Sequence, residues 1–235
     1  MQGKKVLIAV TSNDQLGTTG RKTGYYLPEV THPFFALLRA GFDPSEIDIV
    51  SPKGGAAPMD EKSRDLNDAN NREFVEKYLD KVEHSLAPAA INPQDYQAII
   101  FAGGHGVMWD FPEATDLLSI AATIYEQNGG IVAAVCHGPS ALVNLTLSDG
   151  SYLVANKHVA AFTDDEERAA NLANVVPFLL ASTLVSRGAK HESADLWQAK
   201  VVVDGRLVTG QNPASALGVG EAVAQLLTTT NRTTR

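Results

Sequence analysis

The stretch Gly130-Ile131-Val132-Ala133-Ala134-Val135-Cys136-His137-Gly138-Pro139-Ser140 decides the fold class. Five consecutive apolar residues, Ile131 to Val135, closed by Gly138-Pro139, read as a strand buried on both faces that ends in a sharp bend. Beyond the bend, Ser140 to Leu145 can begin a helix. Strand, tight turn and helix, with a thiol at the vertex, is the layout of a nucleophile elbow. Such a turn lifts one side chain out of the top of a sheet and sets it at a helix N-terminus, where the dipole and free N–H groups favour a thiolate. Cys136 is therefore expected to be a solvent-open nucleophile of lowered pKa. The plain alternative is a small inert core thiol, which a sharply bent turn does not suit.

Working outward, further apolar runs supply the rest of a sheet. Val6 to Val10, Glu46 to Ser51, Ala98 to Ala102, Val159 to Phe162, Lys200 to Asp204 and Arg206 to Gly210 all read as strands. Asp204-Gly205 between the last two is a hairpin signal. Helical spacing occupies Pro33 to Ala40, Asn71 to Leu86, Ala114 to Asn128, Ala169 to Arg187 and Ala214 to Leu227. Alternating strands and helices predict an α/β domain with a mostly parallel sheet and a small antiparallel addition. One domain over residues 1–227 is expected, followed by a frayed, disordered tail at 228–235 with no apolar anchor. Ser51 to Asn71, rich in Pro, Gly, Lys and Asp, reads as a long surface excursion.

Composition narrows the function classes. The net charge of −8 comes without any basic block, which argues against a nucleic-acid partner. No apolar run approaches the roughly 20 residues that span a bilayer, so no membrane partner is expected. A single cysteine forbids an internal disulfide and fits a reducing, cytoplasmic compartment. The six histidines, at 32, 84, 105, 137, 158 and 191, show no close ligand spacing, and no metal or other cofactor is expected.

Ligands of open α/β sheets bind beyond the carboxyl ends of the strands. Three polar clusters should meet there. Cys136-His137-Gly138-Pro139 follows one strand, Gly103-Gly104-His105-Gly106 follows another, and Gly24-Tyr25-Tyr26-Leu27-Pro28-Glu29 lies in the long segment after the first. The glycine turn can present N–H groups to an oxyanion, with backbone donors at Gly104 and His137 and with His105 beside the substrate. His137 can swing toward the sulfur, with a carboxylate from Asp164-Asp165-Glu166-Glu167 to orient it. Glu29 is either a first-turn acid that suits the helix dipole or a carboxylic acid acting in proton transfer beside the thiol.

On these residues the chain resembles the ThiJ/PfpI superfamily, related to class I glutamine amidotransferases. Asp204 to Ser215 also looks like this family, and the likeness runs from about residue 4 to 227. Within it the chain is most similar to the branch of heat-inducible chaperones with glutathione-independent glyoxalase activity. The resemblance implies a flavodoxin-like three-layer sandwich, usually a homodimer. It implies Cys136 as nucleophile, His137 as its partner, Glu29 as the acid touching the sulfur and Glu167 as triad acid, with Glu166 as the fallback. The implied reaction converts methylglyoxal to lactate through a cysteine hemithioacetal. A holding chaperone, a protein deglycase and a cysteine peptidase or amidase are the other activities compatible with this reading.

Overall fold

The computed structural model describes residues 5–233. Eight strands run in chain order: β1 (Lys5–Ala9), β2 (Ile47–Val50), β3 (Tyr96–Phe101), β4 (Ile131–Val135), β5 (His158–Val159), β6 (Lys190–His191), β7 (Val201–Asp204) and β8 (Leu207–Gly210). The helices are α1 (Leu27–Arg39), α2 (Ala69–Lys77), α3 (Asp80–Glu83), α4 (Val107–Asp110), α5 (Thr115–Glu126), α6 (Asp164–Ala169), α7 (Leu180–Ser186) and α8 (Ala216–Thr233). The main sheet has the order β2-β1-β3-β4-β8-β7. All neighbours are parallel except β7, which pairs antiparallel with β8 at the edge.

Chain reversal in that order builds the layers. The crossover from β1 to β2 moves one way across the sheet, and the crossover from β3 to β4 moves the other way. Right-handed connections therefore lay α1 and α5 on opposite faces. Residues Ile131 to Val135 are buried throughout, as a strand covered on both sides requires. The order is of the flavodoxin type, with its switch point between β1 and β3. No helix among the described residues is long and apolar enough to cross a membrane.

Several expected elements are cut differently, for local reasons. The hairpin loop is Gly205-Arg206, because Asp204 already pairs with Leu207; Gly205 takes φ +62 at the first loop position. The run Val159 to Phe162 is not a main-sheet strand: only His158–Val159 pairs, with β6, in a separate two-stranded sheet. The expected helix at 169–187 is mostly absent: α6 ends at Ala169, and beyond it only Leu180–Ser186 of that range is helical. Asn171 at φ +58 stops α6, and Pro177 cannot continue it. The helix at 71–86 breaks at Tyr78, which has φ −132. The helix expected after Ser140 is a 3-10 turn over Gly138–Val143. The tail does not begin at 228: α8 continues to Thr233, with the Thr228 hydroxyl donating to Ala224 O at 3.0 Å. Residues 234–235 of that tail lie outside the described residues.

The bend after β4 fits only a glycine at 138. A Cβ there would lie 2.1 Å from the Phe101 carbonyl oxygen of β3. Gly138→Ala is predicted to destabilise the protein by about 3 kcal/mol through this backbone clash, read by urea denaturation.

Candidate active site

Cys136 sits at the end of β4 with φ +61, a left-handed conformation that non-glycine side chains seldom adopt. Two strand-like bonds hold it there. Its N–H donates to Gly210 O at 2.9 Å, and its carbonyl accepts from Phe162 N–H at 2.9 Å. The extended run after β5 thus reaches the elbow without joining the sheet.

The sulfur meets an imidazole and a carboxyl. His137 Nδ1 lies 3.3 Å from Sγ. Glu29, in the first turn of α1, is fully buried, and its Oε2 accepts the Gly103 N–H at 2.7 Å. Gly103 has no room for a side chain, since a Cβ would stand 2.5 Å from that oxygen. Glu29 Oε1 is buried without a partner at ordinary hydrogen-bond geometry. The carboxyl is still close enough to Cys136 for a loose hydrogen bond between them to shape how both titrate.

Behind His137 stands Glu167. Its Oε2 lies 2.7 Å from His137 Nε2, and its Oε1 lies 2.9 Å from His105 Nε2. The imidazoles of His105 and His137 stack with centroids 4.1 Å apart, and Phe162 covers His137 at 4.3 Å. Glu166 has a different task. It closes a capping box with Thr163, and its Oε1 accepts from Trp197 N–H, Gln211 Nε2 and Asn212 Nδ2. Of the two candidate acids, only Glu167 faces His137.

Burial sets the protonation states. Desolvation lifts the Glu29 carboxyl to about 8, against the hydrogen bonds from Cys136 and Gly103. The Cys136 thiol is pushed well up, by desolvation first and then by the Glu29 charge, while the His137 N–H opposes. Desolvation and the neighbouring His105 lower His137 to about 4. Glu167 falls to about 2, because hydrogen bonds from His105 and His137 together outweigh its desolvation. At neutral pH the site holds a neutral thiol, a neutral carboxylic acid, a neutral imidazole and one carboxylate. With Glu167 ionised, His137 donates from Nε2 and leaves Nδ1 as an acceptor for the S–H.

The expectation of a solvent-open, low-pKa thiolate is therefore corrected. Cys136 is 3% exposed, and the short 3-10 turn after it supplies no long helix dipole. Spacing along the sequence does not show how the histidines are placed in the fold. Folding brings donor atoms of His105, His137 and Glu167 within 4.8 Å of one another. Those atoms are already hydrogen-bonded to each other in pairs.

A model of the DJ-1/PfpI family matches residues 23–226. The chain belongs to the DJ-1/PfpI family. A glutathione-independent glyoxalase of Saccharomyces cerevisiae is 39% identical over 230 residues, covering 92% of this chain and 94% of the relative. Among solved structures, glyoxalase III of Candida albicans superposes with a TM-score of 0.86 at 31% identity, covering 94% of this chain and 96% of that one. The 24 kDa rapid encystment protein of Francisella tularensis gives a TM-score of 0.89 at 40% identity, covering 96% and 99%.

In this DJ-1/PfpI chain, Gly104 and His105 both line a cavity whose inner end is Cys136 and His137. Sequence reasoning gave His105 to the substrate alone and missed its bond to Glu167; the Gly103 N–H bond to Glu29 was missed as well. The Trp197 indole, 5.7 Å from Phe162, also went unnoticed, because nothing in its local sequence marks a cavity wall.

A buried carboxyl lifted to about 8 destabilises the fold increasingly as pH rises from its unfolded value near 4.5 toward 8. Glu29→Gln keeps an oxygen for Gly103 N–H and removes that penalty. The variant is predicted to stay within about 1 kcal/mol of the wild type at pH 5 and to exceed it by about 4 kcal/mol at pH 8, measured by urea denaturation at both pH values.

Proposed function

We propose that the protein is a glutathione-independent glyoxalase that converts methylglyoxal to lactate. The observation that carries the reading is a protonated carboxyl and a neutral imidazole flanking one sulfur at the inner end of a cavity. The glyoxalase names of the yeast and Candida relatives support it.

The site can move every proton that the isomerisation needs. As Sγ adds to the aldehyde carbon, His137 Nδ1 takes the thiol proton and Glu29 gives its proton to the aldehyde oxygen. A hemithioacetal results. The Glu29 carboxylate then removes the proton on C1, and His137 returns its own to the oxygen on C2, giving an enediol. Glu29 delivers a proton to C2, and the C1 hydroxyl gives its proton to His137 as the thioester carbonyl forms. Water hydrolyses the thioester, with its proton going to Glu29, and the departing sulfur is reprotonated by His137. The sum is methylglyoxal plus water to lactic acid, with oxidation level shifted from C2 to C1 and no net electron transfer. Backbone N–H groups at Gly104 and His137 are assigned to the developing oxyanion. Glu167 holds the His137 tautomer and stabilises its cation when it forms. The reading carries with it a cytoplasmic homodimer, which the family resemblance and the single cysteine support.

The product assay is proton NMR of methylglyoxal with enzyme. Lactate is expected from the wild type and none from Cys136→Ala; Glu167→Gln is expected to lose about 100-fold or more in kcat/KM. Lactate formation by Cys136→Ala at wild-type rate overturns the mechanism. The pH profile of kcat/KM should rise through an acid limb near 4, as His137 becomes neutral, and fall near 8, as Glu29 loses its proton. In Glu29→Gln the remaining activity should lack the alkaline limb.

A further inference from the structure

The cavity leading to Cys136 is far larger than a three-carbon substrate. Its volume is about 380 Å³, within the roughly 300–1,000 Å³ of pockets that hold drug-sized ligands. Part of its wall is apolar, with Phe162, Leu172 and Trp197 in the lining. Trp197 is held at φ +64 and remains 49% exposed, an aromatic face left open at the edge of the cavity.

The mouth has a different character. Arg21, Lys22 and Lys62 line it, in a chain whose net charge is −8. Lys22 is paired with Asp14. Arg21 and Lys62 are exposed and form no ion pair among the described residues; Asp60, which caps the turn at Lys62, is the one acid in the lining. Thr23, 3% exposed, also belongs to the lining.

We infer that the preferred substrate is a 2-oxoaldehyde with an apolar body and an anionic end, carboxylate or phosphate, which the cavity mouth binds through Arg21 and Lys62. The aldehyde end reaches Cys136, the body lies along Phe162 and Trp197, and the anion stays near solvent with the cations. The inference rests on the glyoxalase reading and names the substrate class of that same site. Methylglyoxal, neutral and short, fills only the inner end.

The test compares phenylglyoxal with its 4-carboxy derivative and with a derivative carrying a phosphate ester on the ring, beside methylglyoxal. Wild-type enzyme is expected to favour at least one charged probe over phenylglyoxal by about tenfold in kcat/KM, and raised salt should shrink that preference. Whichever anion is favoured identifies the end group. In the Arg21→Gln/Lys62→Gln double variant the ratio of charged to neutral kcat/KM should fall about tenfold. Turnover of all probes with no preference for either charged one, or a ratio indifferent to the double variant, overturns this inference and leaves the glyoxalase reading standing. Failure to turn over methylglyoxal and phenylglyoxal alike overturns the glyoxalase reading itself.

Discussion

The site is organised by a buried contact between a carboxyl and a sulfur. Glu29 has no solvent and one firm hydrogen bond, from Gly103 N–H at 2.7 Å. In that setting a carboxylate beside a thiolate would place two like charges in a medium that screens them poorly. The pair avoids this by keeping protons. In the proposed mechanism that single constraint makes Glu29 a proton donor at neutral pH, and it moves the burden of activating the thiol to His137. The arrangement differs from an elbow that stores a free thiolate. In the proposed mechanism the anion is generated only as the bond to carbon forms.

The fold supplies the means of holding these groups so close. Cys136 is turned to φ +61, and bonds to Gly210 and Phe162 on two sides maintain it. The Gly103 turn passes near enough to α1 to give the Glu29 carboxyl a firm hydrogen bond. On the far side, Glu167 receives two imidazoles and fixes both. Glu166, one residue earlier, ties the Trp197 segment to Gln211 and Asn212. Adjacent acids on one short helix thus hold separate groups: Glu167 the two imidazoles, Glu166 the segment of the cavity wall at Trp197.

How far the sequence disclosed this depends on the range of the physics. Strand β4 and the hairpin of β7 and β8 were legible because burial on both faces and a two-residue loop leave local marks. The α/β class followed from the alternation of strands and helices, and the flavodoxin-like sandwich from the family resemblance. The meeting of Cys136, His137 and Glu167 was legible through the family resemblance, since Glu166 and Glu167 look alike until the helix that carries them is placed. The protonation states were not legible. They depend on how deeply α1 buries Glu29 and on the short 3-10 turn through Pro139, where a longer helix was expected. Neither the bond between His105 and Glu167, 62 positions apart, nor the wall at Trp197 has a local signature.

The central claim is that Glu29 is a neutral acid at physiological pH. Carbon-13 NMR of protein labelled at the glutamate carboxyl carbons, with Glu29→Gln used to assign the resonance, tracks that group directly. The account predicts a protonated carboxyl at pH 7 that titrates near 8. A Glu29 resonance that titrates between pH 4 and 5, and is fully ionised at pH 7, would contradict it.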